Sequence, residues 1–183
     1  MSRIWFNLKV PGRSQWLAGF AIFVLIVSQG CSKVPKPTSD STPPILTWHI
    51  HNQDTSSDTQ IVGTGSVNAK IGDSYQVTLT ADDPQGIHEI TLGSNTGWQC
   101  LDALDNLAQS HGPSLGTTDK QDLQPDSQGN VLTSIFLIRE ASIGPFECQA
   151  GFAFSGGSVV FTGTGTNYFN GVTKATLTFS VSP

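Results

Sequence analysis

The chain has 183 residues, with nine basic and fourteen acidic side chains and a formal net charge of −5. Charged residues make up only 13% of it, and glycine, serine and threonine are abundant, which is typical of a strand-rich exported protein rather than a helical cytosolic one. The acidic balance argues against nucleic acid and anionic headgroups as partners.

An apolar run at residues 16–27 predicts an export signal. Arg3, Lys9 and Arg13 precede the run, and no acidic residue does. A basic region followed by a short apolar region and small residues describes a cleaved signal peptide. As a helix the run would reach about 18 Å, which is too short for the ~30 Å hydrocarbon core of a bilayer.

The end of this run resembles the lipobox of bacterial lipoproteins, with the residues Val27-Ser28-Gln29-Gly30-Cys31-Ser32. The resemblance implies that residues 1–30 are removed as a signal peptide and that the Cys31 thiol carries the lipid (palmitate and related chains). The product would be anchored in the bacterial cell envelope, and Ser32 after the cysteine favours the outer membrane. An ordinary secretory signal with an incidental cysteine and an uncleaved signal anchor remain as alternatives.

Cleavage would change both the charge and the cysteine count. Loss of the three basic residues moves the net charge from −5 to about −8. With Cys31 lipidated, Cys100 and Cys148 remain, and in an oxidising compartment we expect them to form a disulfide worth roughly 4 kcal/mol. Two buried free thiols are the alternative. Residues 31–44 are rich in proline, serine and threonine and predict a tether that lifts the domain off the bilayer.

Residues 45–183 predict one strand-rich domain. Strict alternation places Leu46, Trp48 and Ile50 on one face of a first strand. Residues 74–82 predict a half-buried strand, and 87–92 its partner after a Pro-Gly turn. Residues 102–110 predict a short helix, because leucines recur at spacings of three and four. A long loop is expected at 114–130, followed by a central strand at 131–139. Strands are expected at 146–154 and 159–164, joined by a hairpin turn at 155–158. After a turn at 167–171, a final strand is expected at 174–182.

These elements predict an all-β, antiparallel, immunoglobulin-like β-sandwich with one short helical insertion. The corner Ala81-Asp82-Asp83-Pro84-Gln85-Gly86-Ile87 resembles the Asp-rich corner that joins two strands in bacterial immunoglobulin-like extracellular domains. The domain organisation is therefore signal 1–30, tether 31–44 and β-sandwich 45–183.

Two side-chain clusters are candidate metal sites. His49 and His51 lie two residues apart on a strand, so both imidazoles face the same way and could bind zinc. Asp82 and Asp83, at a turn, offer carboxylate oxygens of the kind that calcium prefers. The alternatives are solvent-facing histidines on an edge strand and an ordinary Asp-Pro turn. No cofactor is otherwise expected.

A turn rich in aromatic and amide side chains is the candidate ligand-binding site. Tyr168, Phe169 and Asn170 offer flat apolar area with polar edges, which suits a glycan or a protein partner, unless these side chains fold back onto the core. We expect the binding face to comprise the loops 110–130 and 163–171.

The sequence contains no H-E-x-x-H motif and no phosphate-binding glycine loop, so we predict a protein that is not an enzyme. The leading hypothesis is a lipid-anchored envelope protein whose β-sandwich binds a partner or glycan. The alternatives are a structural accessory subunit of an envelope complex and a metal-dependent enzyme using His49 and His51.

Overall fold

The computed structural model describes residues 33–36, 38–39 and 42–183 of the chain. The predicted signal peptide and Cys31 lie outside these residues. In the described part, no helix is long and apolar enough to cross a membrane. That part is built from strands: β1 (Lys33–Pro35), β2 (Ile45–Asn52), β3 (Ser57–Val62), β4 (Gly65–Ala69), β5 (Ser74–Asp82), β6 (Ile87–Leu101), β7 (Leu107–Asp122), β8 (Asn130–Leu132), β9 (Ser134–Ser142), β10 (Ala153–Asn167) and β11 (Val172–Val181).

Two sheets face each other as a β-sandwich, as the sequence predicted. One sheet has five strands in the order β4-β11-β10-β6-β7, and the other has four in the order β3-β2-β5-β9. Neighbouring strands run antiparallel except β11 and β4, which pair in parallel. The short strands β1 and β8 form a separate antiparallel pair.

The core lies between the two sheets and confirms the predicted alternation. Leu46, Trp48 and Ile50 are buried on β2. The alternate residues of β5 and β11 are buried as well: Tyr75, Val77, Leu79 and Ala81 on β5, and Ala175, Leu177, Phe179 and Val181 on β11. Phe161 completes this layer from β10, with its ring 5.8 Å from that of Phe179.

Between the two sheets, large side chains of one sheet lie against a glycine of the other. A Cβ atom added to Gly163 on β10 would lie 2.5 Å from Leu79 Cδ2 and 3.2 Å from the Trp48 ring. Because buried side chains pack at near-crystalline density, Leu79 and the indole of Trp48 occupy the space that a side chain at Gly163 would need.

The predicted helix at 102–110 is wrong, because residues 102–106 form the turn between β6 and β7 and residues 107–110 begin β7. The Asp102 carboxylate accepts hydrogen bonds from the backbone N–H groups of Leu104 at 2.8 Å and Asn106 at 2.9 Å, and Asp105 adopts a φ of +59°. These bonds hold the pKa of Asp102 below its ordinary value, and the bond from the Asn106 N–H has the largest effect. Leu104 is 81% exposed, so the leucine spacing does not mark a buried face.

Four further expectations about strands are wrong. Of the strand predicted at 146–154, residues 146–152 form no strand, and only 153–154 belong to β10. Most of the predicted loop at 114–130 belongs to β7, an edge strand whose polar residues stay solvated while their backbone pairs with β6. The predicted hairpin at 155–158 lies inside β10, where a bulge follows Phe154. The predicted central strand at 131–139 is divided between β8 and β9, and β9 is an edge strand with Phe136 and Ile138 about half exposed.

The predicted tether also contains ordered structure. Lys33, Val34 and Pro35 pair with Leu132, Val131 and Asn130. The Lys36 N–H donates to the carbonyl of Gly129 at 2.9 Å. Residues 33–36 are therefore attached to the domain and do not act as a free spacer.

Candidate functional site

A depression lies on the outer face of the five-stranded sheet. One row of neighbouring residues crosses four strands there: Asn68 on β4, Ser180 on β11, Ser158 on β10 and Gly97 on β6. Successive side chains of a strand point to opposite faces, and the adjacent residues Val159 and Phe179 are buried in the core. The row therefore faces solvent.

We call this depression the polar groove; its volume is about 560 Å³. It is lined by Asn68, Gly97, Trp98, Gln99, Ser110, His111, Gly112, Gly156, Gly157, Ser158, Ser180, Val181 and Ser182. The four glycines create the depression, because their strands carry no side chain to fill it. The volume falls in the range typical of small-molecule sites.

The chemistry of the polar groove is that of hydroxyl and amide groups. None of the lining residues is an aspartate, glutamate, lysine or arginine, and His111 is the one ionisable side chain among them. Hydroxyls and amides both donate and accept hydrogen bonds. The polar groove is therefore suited to a neutral ligand rich in hydroxyl groups, and it holds no fixed charge that would attract an ion.

A small aromatic cluster supports this end of the sheet from the inner side. Trp98 stacks on His111 with ring centroids 4.4 Å apart, and its indole N–H donates to the carbonyl of Glu147 at 3.1 Å. Phe146 lies 5.7 Å from Trp98 and 5.0 Å from Phe154. The segment that follows β9 thus covers the inner face of the sheet beneath the groove.

The predicted disulfide is confirmed and fixes the same segment. Cys100, at the end of β6, is fully buried and bonded to Cys148, with their Cα atoms 6.0 Å apart. The bond joins the strand that lines the groove to the segment that supports it. His111 also has a buried Nε2 atom that finds no hydrogen-bond partner among the described residues.

The three residues predicted to bind a ligand are part of an ordered turn between β10 and β11. Tyr168 packs against His88 with ring centroids 5.2 Å apart, and Lys36 Nζ lies 4.9 Å from the ring centroid. Burial raises the pKa of the Tyr168 hydroxyl above its ordinary value. Phe169 and Asn170 lie in the same turn, and the Phe169 N–H donates to the buried side chain of Asn167 at 3.0 Å. Tyr168 therefore folds back onto the domain.

The two candidate metal clusters stay separate from each other. His49 and His51 share the outer face of β2, and His51 Nδ1 lies 2.8 Å from an oxygen of Asp58. Asp83 is buried and accepts hydrogen bonds from the Gln85 N–H at 2.8 Å and the Asn167 amide at 3.3 Å. These bonds hold the corner in place.

Asp82, by contrast, lies on the outer face of its sheet, opposite Ile45. Among the residues that the structure describes, no group of three or more His, Cys, Asp or Glu side chains could hold a metal ion. Zinc or calcium binding thus stays a prediction from sequence.

Neither the models of known protein families nor the curated proteins gave a match to this chain. Among solved structures, the sporulation control protein Spo0M of Bacillus subtilis is similar over 75% of this chain, with 7% identity and a TM-score of 0.35. The chain spans about half the length of Spo0M, 49%. A CARDB domain from Pyrococcus furiosus, in complex with di-metal ions, is similar over 79% of this chain and 93% of its own, with 13% identity and a TM-score of 0.30.

Sequence reasoning did not find the polar groove. The glycines and serines of residues 155–158 and 110–112 line the polar groove, but in the sequence such residues are typical of turns. Only the pairing of β6 with β7 and β10 shows that these residues continue strands and line one depression.

Proposed function

We propose that this protein is an envelope lipoprotein, anchored through Cys31, whose β-sandwich is a non-catalytic binding module for a neutral glycan. The observation that carries the binding proposal is the polar groove, an uncharged depression of about 560 Å³ lined by hydroxyl and amide side chains. Sugars present hydroxyl groups that exchange hydrogen bonds with such side chains. The net charge of about −8 after signal cleavage disfavours an anionic ligand.

Two features support export and anchoring. The Cys100–Cys148 disulfide suits an oxidising compartment, where such bonds persist. The apolar run ending at Cys31 has the order of a lipoprotein signal. Palmitate labelling of the wild type and of Cys31→Ser tests this part directly: label in the wild type alone supports it, and no label in the wild type contradicts it.

The binding part is tested with an array of neutral oligosaccharides, followed by calorimetric titration of any ligand that binds. In Gly112→Trp the new side chain would fill the polar groove; a Cβ at this position meets no other atom within 4 Å, so the fold should tolerate the change. We expect affinity to fall at least about tenfold. Thr162→Trp is the matched control, because Thr162 is exposed on β10 and does not line the groove.

Two results would contradict glycan binding. One is a wild type that binds no oligosaccharide on the array. The other is equal affinity in Gly112→Trp and the wild type. If crosslinking in the envelope instead captures a stoichiometric protein partner, the accessory-subunit alternative is favoured.

A further inference from the structure

The outer face of the four-stranded sheet carries an exposed cluster of large apolar side chains. We call Ile45, Val62, Phe136 and Ile138 the apolar patch; their exposures are 59%, 65%, 48% and 50%. The register of the sheet places Phe136 and Val62 in one row across the four strands, with Thr80 and Thr47 between them.

The other two members lie directly beside this row. Ile138 is two residues from Phe136 on β9, and Ile45 is two residues from Thr47 on β2, so both are on the same face. Thr47 is only 7% exposed although it faces outward, because its neighbours enclose it. The apolar patch therefore consists of two apolar pairs on one face, Phe136 with Ile138 and Ile45 with Val62, with Thr80 and Thr47 between them.

The polarity of this outer face changes along the strands. The row that lies four residues along β9 from Phe136 joins Glu140, Gln76, His51 and Asp58. In the rows of Ser134 and Phe136, the one ionisable side chain is that of Asp82. Apolar residues are thus concentrated at the end of the sheet where β5 leads into the corner toward β6.

The entry of the chain into the domain lies at that same end. β1 runs antiparallel to β8, with Lys33 opposite Leu132 and Pro35 opposite Asn130. The chain therefore enters β1 from the side of Leu132, two residues before β9 begins at Ser134. One residue, Ser32, separates Cys31 from β1, and two residue steps span at most about 7 Å.

We propose that the apolar patch rests on the surface of the bilayer in which the protein is anchored. The inference depends on the proposed lipidation of Cys31, which would hold the beginning of β9 within one short chain segment of the membrane. Apolar side chains at such a surface enter the boundary between headgroups and acyl chains to a depth of about 5–10 Å. The acidic row that ends at Asp58 and Glu140 is then directed away from the headgroups.

Fluorescence quenching by lipids brominated near the top of the acyl chain tests this orientation. Phe136→Trp places a reporter in the apolar patch, and Thr162→Trp places one on the exposed outer face of the opposite sheet. Both variants are made in the full chain, processed in bacteria and reconstituted into vesicles of zwitterionic lipid. We expect bromolipids to reduce the added fluorescence of Phe136→Trp at least about twofold and to leave that of Thr162→Trp unchanged.

The outcomes separate this inference from the proposed function. Palmitate label in the protein with no added quenching in Phe136→Trp overturns bilayer contact and leaves anchoring intact. Capture of a membrane protein by a photo-crosslinker at Ile138, without quenching, also overturns it and assigns the apolar patch to a protein partner. No palmitate label in the wild type overturns the anchoring and, with it, this inference.

Discussion

The outer faces of the two sheets differ in both chemistry and position. The four-stranded sheet exposes the apolar patch at the corner end of the sandwich, where β1 attaches. The five-stranded sheet exposes the polar groove around Gly97, ten residues along β6 from the corner, about 33 Å for an extended strand. The two faces share one core, so the difference arises only from the residues that alternate outward. One sandwich can therefore present a membrane-facing surface and a ligand-facing surface at opposite ends.

The largest expected effect comes from removing the disulfide that supports the polar groove. Cys148→Ser with Cys100→Ser should lower the free energy of unfolding by about 2–5 kcal/mol, because the unfolded chain loses a crosslink. We also expect faster hydrogen exchange at residues 97–101 than in β5, since the disulfide holds the segment under the groove. Urea unfolding and exchange mass spectrometry measure the two effects. Equal loosening of both sheets would contradict this local role.

Two glycine substitutions compare how closely atoms pack around a core glycine, Gly163, and around a groove glycine, Gly112, of the five-stranded sheet. Gly163→Ala should cost about 1–3 kcal/mol, because its Cβ would overlap Leu79. Gly112→Ala should be nearly neutral, since its Cβ meets no other atom within 4 Å. Thermal melting of both variants beside the wild type measures the difference. Similar melting temperatures would show that the sheets are not as closely packed at Gly163 as described.

The attachment of β1 should depend on pH. Asp126 accepts hydrogen bonds from the Asn130 and Gln128 N–H groups and lies 3.5 Å from Lys33 Nζ. The bond from the Asn130 N–H, foremost among these contacts, holds the pKa of Asp126 below its ordinary value. The ionised carboxylate thus stabilises the fold above the ordinary aspartate pKa of about 3.9, and this contribution is lost as the pH falls through the lower, folded pKa.

We expect NMR shifts of Val34 and Lys36 to change as Asp126 is protonated, and Asp126→Asn to remove that step. A step that persists in Asp126→Asn would assign it to another group. The effect is confined to β1 and β8 and should leave the polar groove unchanged.

The smallest expected effect on stability belongs to the apolar patch. Phe136→Ser with Ile138→Ser should change the free energy of unfolding by less than about 0.5 kcal/mol per site, because both side chains are already half exposed. Urea unfolding of the soluble domain measures this. A loss of several kcal/mol would show that these side chains belong to the core and are not free to contact another surface.

The sequence predicted the regular strands well, because burial follows strict alternation there. Tyr75 to Ala81 on β5 is the clearest case, and Leu46, Trp48 and Ile50 on β2 behave the same way. An alternating pattern reports local geometry directly, since one face of the strand meets the core. The disulfide was also predictable, from the count of cysteines left after Cys31.

Prediction failed where the partner strand decides the structure. The glycines and serines of residues 155–158 are typical of a turn, but pairing with β6 extends β10 through them. Residues 102–110 were expected to form a helix, and the Asp102 carboxylate instead closes the turn before β7. Residues 131–139 were expected to form a central strand, but Phe136 and Ile138 lie about half exposed on the edge strand β9. Each case depends on distant pairing that a single sequence does not encode locally.

Hydroxyl-radical footprinting tests the contrast between the two faces most directly. The lipidated protein is oxidised on vesicles and compared with the soluble domain, and mass spectrometry measures the oxidation rate of each side chain. We predict that vesicles lower the oxidation of Phe136 and Ile138 several-fold and leave that of Trp98 and His111 unchanged, because these two rings lie at the opposite end of the sandwich from the apolar patch. Protection of Trp98 with continued oxidation of Phe136 would contradict the proposed arrangement.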